Sequence, residues 1–181
     1  DDNIAHSTRS TDFMTPKSHA SRLFRDAVLS LAQQFPFARA LVNSGRLSVP
    51  TVLQGSPLNT PDADAFEGWM LPGAPADDVE LRSGTWLLSL LSPASFNLLL
   101  FFDASDADAL ACWQPAIEAL ADDRDGAATV LVPCTGLVAQ RYDARPGTCY
   151  LLRPDQHVCA RWRAFDRRAV EAAIARATCN E

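Results

Sequence analysis

The chain has 181 residues and a mass of 19.7 kDa, 48% hydrophobic and 21% charged. A chain of this size buries roughly two-thirds of its extended surface and needs no disulfide or metal staple. Its 16 basic and 22 acidic side chains give a formal charge of -6, which argues against a general nucleic-acid binder. The longest apolar stretches run to about seven residues, too short to span a bilayer. Asp1-Asp2-Asn3 has neither the basic region nor the apolar core of a signal peptide, and there is no initiator Met. The expectation is a processed or excised piece of a cytoplasmic protein.

Charge divides the chain into three parts. Residues 1–60 carry a net charge of +2, residues 61–126 carry -11, and residues 127–181 carry +3. The acids cluster in 62–67, 77–80, 103–108 and 122–125. They read first as solvated loops and helix starts, and second as a surface for a basic partner domain.

Residues 1–17 are polar and aperiodic and read as irregular unless another surface holds them. Ser18 caps a helix on which Phe24, Val28, Leu31 and Phe35 recur at helical spacing, with Leu23 and Ala27 beside them. Pro36 limits that helix, because the residue before a proline resists helical geometry. A lone amphipathic helix must bury its stripe, so Leu23, Phe24, Val28 and Leu31 are a candidate helix interface. Around Gly45, a turn residue, stand Arg39, Asn43 and Arg46. The two arginines could hold a carboxylate or phosphate, or tie the loop to a neighbouring domain, and domain packing is the favoured reading. Residues 50–80 form a long connector rich in Pro, Gly and Asp, pinned to a core by Phe66, Trp69, Met70 and Leu71.

Thr85–Leu91 then reads as a strand, and Phe96–Phe102 as a strand covered on both faces. Ser105 is placed as the cap of a helix with the stripe Leu110, Trp113, Ile117 and Leu120, with Asp108 completing a capping box. Thr129–Val132 is a short buried strand stopped by Pro133, and Leu137–Tyr142 a short helix. Thr148–Leu152 and His157–Trp162 flank Arg153-Pro154-Asp155-Gln156 as a hairpin. In its second arm, alternation puts Val158, Ala160 and Trp162 on one face. Asp166 caps a last helix facing inward through Val170, Ala173, Ile174 and Ala177. The expected fold is an α/β thioredoxin-like sandwich with a mixed central sheet, preceded by a helix and an irregular connector.

The five cysteines, at 112, 134, 149, 159 and 179, contain no CxxC. The junction where a thioredoxin-like domain would hold its reactive pair reads Phe102-Asp-Ala-Ser-Asp-Ala-Asp108. Cys149 and Cys159 are expected to be buried and reduced, and Cys179 exposed. Pro146-Gly147 reads as an ordinary turn, with a cis proline as the rival. There is no GxGxxG or GxxxxGK[ST], and the three His are scattered, so no nucleotide loop, metal centre or catalytic residue is assigned.

Three strings carry a family resemblance: Thr11-Asp-Phe-Met-Thr-Pro-Lys-Ser18; Ala38-Arg-Ala-Leu-Val-Asn-Ser-Gly-Arg-Leu-Ser48 followed by Ser56-Pro-Leu58; and Tyr150-Leu-Leu-Arg-Pro-Asp-Gln-His-Val158, ending in Arg161-Trp162. Together they resemble the C-terminal part of FAD-dependent aromatic-ring monooxygenases, above all 3-(3-hydroxyphenyl)propionate hydroxylases and phenol hydroxylases. Gln156 departs from the Gly that many such enzymes carry there. The resemblance implies a longer parent in which reduced FAD, supplied with electrons by NAD(P)H, delivers one oxygen atom of O2 to a phenolic ring. Residues 1–35 would end the catalytic region, 36–71 would connect, and 72–181 would be a thioredoxin-like third domain without a redox pair. It implies no cofactor in this piece. The implied partners are the missing FAD and substrate domains of the same chain and a second copy in a homodimer, with neither nucleic acid nor membrane. The other reading is a free-standing, degenerate thioredoxin-like protein-binding module.

Overall fold

A computed structural model describes residues 11–43, 51–121 and 126–180, together with Ile4 and Thr8. The chain divides into two compact units, 1–51 and 52–181.

In the first unit, α1 spans His19–Gln34, and the Ser18 hydroxyl oxygen accepts the Ser21 N–H at 3.1 Å. The helix stops at Phe35, whose extended backbone (φ -121°, ψ 125°) is what the following proline imposes. Pro36 then opens a second helix, α2 (Pro36–Asn43), the first helical position being where a missing N–H costs nothing. Within the tail expected to be irregular, Ile4, Thr8 and residues 11–14 are helical. The end of that turn is fixed locally: the Thr15 N–H and hydroxyl both donate to the Thr11 carbonyl. Pro16 follows.

The second unit is built on one four-stranded sheet. β1 (Glu80–Arg82) and β2 (Thr85–Trp86) form a small separate hairpin. The strand expected over 85–91 ends after two residues and becomes a 3₁₀ turn, Leu87–Leu90. Side chains hold that turn: Asp78 accepts the Leu88 N–H at 3.0 Å, and the Ser89 hydroxyl donates to the Trp86 carbonyl at 2.6 Å. Fully buried Leu87 anchors it.

Then come β3 (Phe96–Phe102), α3 (Ala107–Ala121), β4 (Ala127–Pro133), α4 (Gly136–Arg141), β5 (Cys149–Leu152), β6 (Val158–Trp162) and α5 (Arg167–Thr178). The sheet order is β4-β3-β5-β6. β3 is parallel to β4, from Phe96 opposite Ala127 to Phe102 opposite Pro133, while β5 runs antiparallel to both its neighbours. This order, with α3 crossing between the two parallel strands, is the thioredoxin-like arrangement the periodicity implied.

β3 separates two cores. Leu99 and Phe101 face Tyr142, Tyr150, Val158 and Met70. Leu98 and Leu100 face Leu120 of α3 and Val170, Ala173 and Ile174 of α5. Asn97, buried in this strand, is satisfied by the Ser92 N–H and by the Ser92 and Ser95 carbonyls.

Three local expectations fail for identifiable reasons. Ser105 does not cap α3; its N–H and hydroxyl both turn back to the Asp103 carboxylate, and the helix starts later, at Ala107. β4 is the sheet's edge and only partly buried, with Leu131 exposed. β6 breaks its alternation: the register shifts between Leu151 and Leu152, so Cys159 is an extra residue. Val158 therefore joins the first core, while Ala160 and Trp162 join the second. The hairpin itself forms as expected, as does the Asp166 cap, which accepts the Arg168 N–H at 2.9 Å. No helix among the described residues is long and apolar enough to cross a membrane.

Two turns give opposite tests of backbone strain. Gln156 sits at φ 64°, the left-handed region that favours glycine. Gln156→Gly should raise the urea midpoint, a gain of up to about 1 kcal/mol with m unchanged. Gly73 sits at φ 95°, and a Cβ there would lie 2.5 Å from the Leu53 carbonyl oxygen. Gly73→Ala should lower the midpoint by about 1 kcal/mol or more.

Candidate functional site

In this fold, chemistry would sit where the parallel strands end and α3 begins, because a helix N-terminus there can stabilise a thiolate. The residues at that end are Asp103, Ser105, Cys134 and the turn at Pro146-Gly147. Asp103 is exposed; bonds from the Ser105 hydroxyl (2.6 Å) and N–H (2.9 Å) hold its carboxyl below the usual range. Cys134 follows β4, its N–H donating to the Phe102 carbonyl at 2.9 Å and its thiol to the Ala144 carbonyl at 3.3 Å. Partial burial, then the negative charge of Asp103, pushes the Cys134 thiol up. Both effects keep sulfur protonated at neutral pH, the reverse of what a nucleophilic thiol needs. Pro146 is trans, as is every peptide among the described residues. The turn is an ordinary one: Gly147 donates to the Phe101 carbonyl at 2.8 Å, and Thr148 donates to Arg145 at 2.9 Å.

The densest side-chain constellation lies elsewhere, on β6. Arg161, buried in the first core's margin, donates to both oxygens of Asp62 (2.9 and 2.6 Å) and to the Met70 carbonyl (2.9 Å). Arg163 reaches the Ala65 carbonyl at 3.1 and 2.9 Å and pairs with Asp143. Its N–H donates to Asp64 at 2.9 Å. Both guanidiniums lie over the Phe66 ring, with the central carbon of Arg161 4.4 Å and that of Arg163 3.7 Å from its centroid. Burial works against the Asp143 charge, but the Glu67 N–H and Arg163 outweigh it and hold the carboxyl low. Behind them, burial pushes the Tyr150 phenol up to about 12. Both guanidiniums are matched by carboxylates and carbonyls within the unit, so the arrangement binds the connector to β6.

The residues singled out from sequence are not gathered into one place. Arg39 is exposed and donates to the carbonyls of Ala32 (2.9 Å) and Gln33 (3.4 Å), covering the last turn of α1. Asn43 is the last residue of α2; its side chain, and all of Arg46, lie outside the described residues. On α1, Val28 is buried, whereas Leu23 (59% exposed), Phe24 (64%) and Leu31 (43%) are open. In the connector Met70 is buried and Phe66 packs on the first core, but Trp69 is exposed.

Strand order and register thus define a thioredoxin-like α/β sandwich with an acidic, thiol-poor reactive end. No protein-family model matches the sequence, and no curated protein matches it. Solved structures do match. The flavin-dependent monooxygenase PieE in complex with FAD and substrate shares 18% identity over 94% of this chain and 32% of its own, with a TM-score of 0.57. The rebeccamycin biosynthetic enzyme RebC with reduced flavin shares 19% over 97% of this chain and 33% of its own, TM-score 0.55. RebC soaked with chromopyrrolic acid, with bound 7-carboxy-K252c, shares 21% over 99% and 34%, TM-score 0.59. At these identities the likeness is one of fold, and the chain spans about a third of the length of these structures.

The thiols give a direct check. Cys149 and Cys159 are fully buried, and burial raises their thiols to about 12 and about 11. Alkylation of the native protein by iodoacetamide at mildly alkaline pH should show Cys112 and Cys179 reacting first. Cys134, Cys149 and Cys159 should lag. Fast modification of Cys134 would contradict the geometry described for it.

Proposed function

We propose that this chain is a non-catalytic structural and oligomerisation domain from the C-terminal end of a flavoprotein monooxygenase. The observation that carries the reading is the extent of the fold likeness. The likeness extends over 94% of this chain with PieE and 97% with RebC, while covering only about a third of either. The three sequence strings support the same family. The parent would hydroxylate phenolic compounds such as 3-(3-hydroxyphenyl)propionate, with FAD, NAD(P)H and O2, in the cytoplasm.

Among the described residues, the turn from β3 into α3 does not fit a flavin. A dinucleotide pyrophosphate is held by a glycine-rich turn from a parallel strand into a helix N-terminus. The turn from β3 into α3 instead carries Asp103, Asp106 and Asp108. Their carboxylates repel a phosphate at that position. The flavin, when bound in the parent, supplies the oxygen-transfer chemistry. This chain's part is packing: one sandwich against the catalytic region, and the open Leu23, Phe24 and Leu31 face of α1 against that region or a second copy.

The purified chain should carry no flavin absorbance and should oxidise no NAD(P)H in the presence of 3-(3-hydroxyphenyl)propionate. Stoichiometric FAD binding would overturn the non-catalytic assignment. A full pathway of hydroxylation by this chain alone would do so as well.

A further inference from the structure

Residues 73–76 of the connector run beside the start of β6 and the turn before it. β6 is an edge in the sheet order, yet its first two residues bond outward to the connector. Thr60 N–H donates to the Cys159 carbonyl (2.9 Å), Gly73 N–H to the Val158 carbonyl (2.7 Å), Val158 N–H to the Ala74 carbonyl (2.8 Å) and Ala76 N–H to the Gln156 carbonyl (2.8 Å). Pro75 bridges to His157. The segment also ties to itself, through Leu53 N–H to the Gly73 carbonyl and Asn59 to the Leu53 carbonyl, both 2.8 Å.

Its side-chain anchors converge on few residues. Asp62, Asp64, Ala65, Phe66 and Met70 all meet Arg161 or Arg163, while Glu67 meets Asp143. Met70 lies in the first core, Phe66 and Ala76 pack against it and Ala74 is buried, while Leu53 and Trp69 are exposed. The segment is thus internally closed, bonded to one strand edge, and fastened by one clamp.

We propose that residues 53–76 are a strap that opens as one unit ahead of the sandwich, with the Arg161–Phe66–Arg163 stack as its latch. Opening breaks the bonds that residues 60 and 73–76 make to the start of β6 and to the turn before it. The bulge at Cys159 suits this role, because it ends regular pairing at the place where the strap crosses.

Hydrogen exchange on the full 181-residue chain tests this. The amides of Thr60, Gly73, Ala76 and Val158 should exchange through one shared opening, earlier than the amides of β3. In Phe66→Leu all four should accelerate together by about tenfold, with β3 unchanged. Asp62→Asn should act in the same direction. Four unrelated rates, or rates equal to those of β3 in the unaltered chain, would overturn the proposal. So would an acceleration in Phe66→Leu that β3 shares, or none at all. Should Phe66→Leu fail to fold, the unaltered chain and Asp62→Asn decide the matter on the same criteria.

Discussion

The second unit depends on burying both faces of β3. Four consecutive apolar residues, Leu98 to Phe101, alternate between two cores and are wholly inaccessible. A strand like that is stable only as an inner strand, so it must have neighbours on both edges and layers on both faces. α3 and α5 cover one face. The aromatic group of Phe101, Tyr142 and Tyr150, with ring centroids 5.1 to 6.2 Å apart, fills the other. Those tyrosines need partners for their hydroxyls in an apolar place. Tyr142 donates to the Asp77 carbonyl at 2.8 Å and Tyr150 to the Tyr142 carbonyl. The connector and the hairpin are thereby drawn onto the same core.

Charge follows from that arrangement. The acidic middle segment and the basic last segment meet within the unit: Asp62 with Arg161, Asp77 with Arg141. A buried guanidinium such as Arg161 is tolerable only because its donors are met by a carboxylate and a carbonyl. The acids of 62–67 and 77–80 are therefore partly internal ties, a reading that neither solvated loops nor a partner surface had covered. The segment charges of opposite sign were the available signal, but a charge sum does not say which loop meets which strand.

The elements with strong periodicity were legible. β3 was visible as an unbroken apolar run, α3 and α5 as stripes, and the hairpin from Arg153-Pro154-Asp155. Their order alone was enough for the fold. What could not be read were features set by contacts remote in sequence or by one inserted residue. The bulge at Cys159 inverts the facing of Val158. Ser105 prefers the nearby Asp103 carboxylate to the helix start. A Leu-rich run became a 3₁₀ turn because Asp78 and Ser89 offered its backbone partners. Of the candidate site, the lack of a reactive pair could be read directly. The raised thiol of Cys134 could not, because both its partial burial and the nearby Asp103 charge arise only when β3 pairs with β4.

The sandwich therefore supplies shape and edges, and its acidic end opposes both thiolate and phosphate. On the function proposed above, it is one part of a larger flavoprotein that carries the chemistry. The most direct measurement is the intact mass of the polypeptide that the source cell makes from this coding sequence. The account predicts a product several times longer than these 181 residues, with flavin bound to it. A natural product of 19.7 kDa, free of flavin, would contradict it.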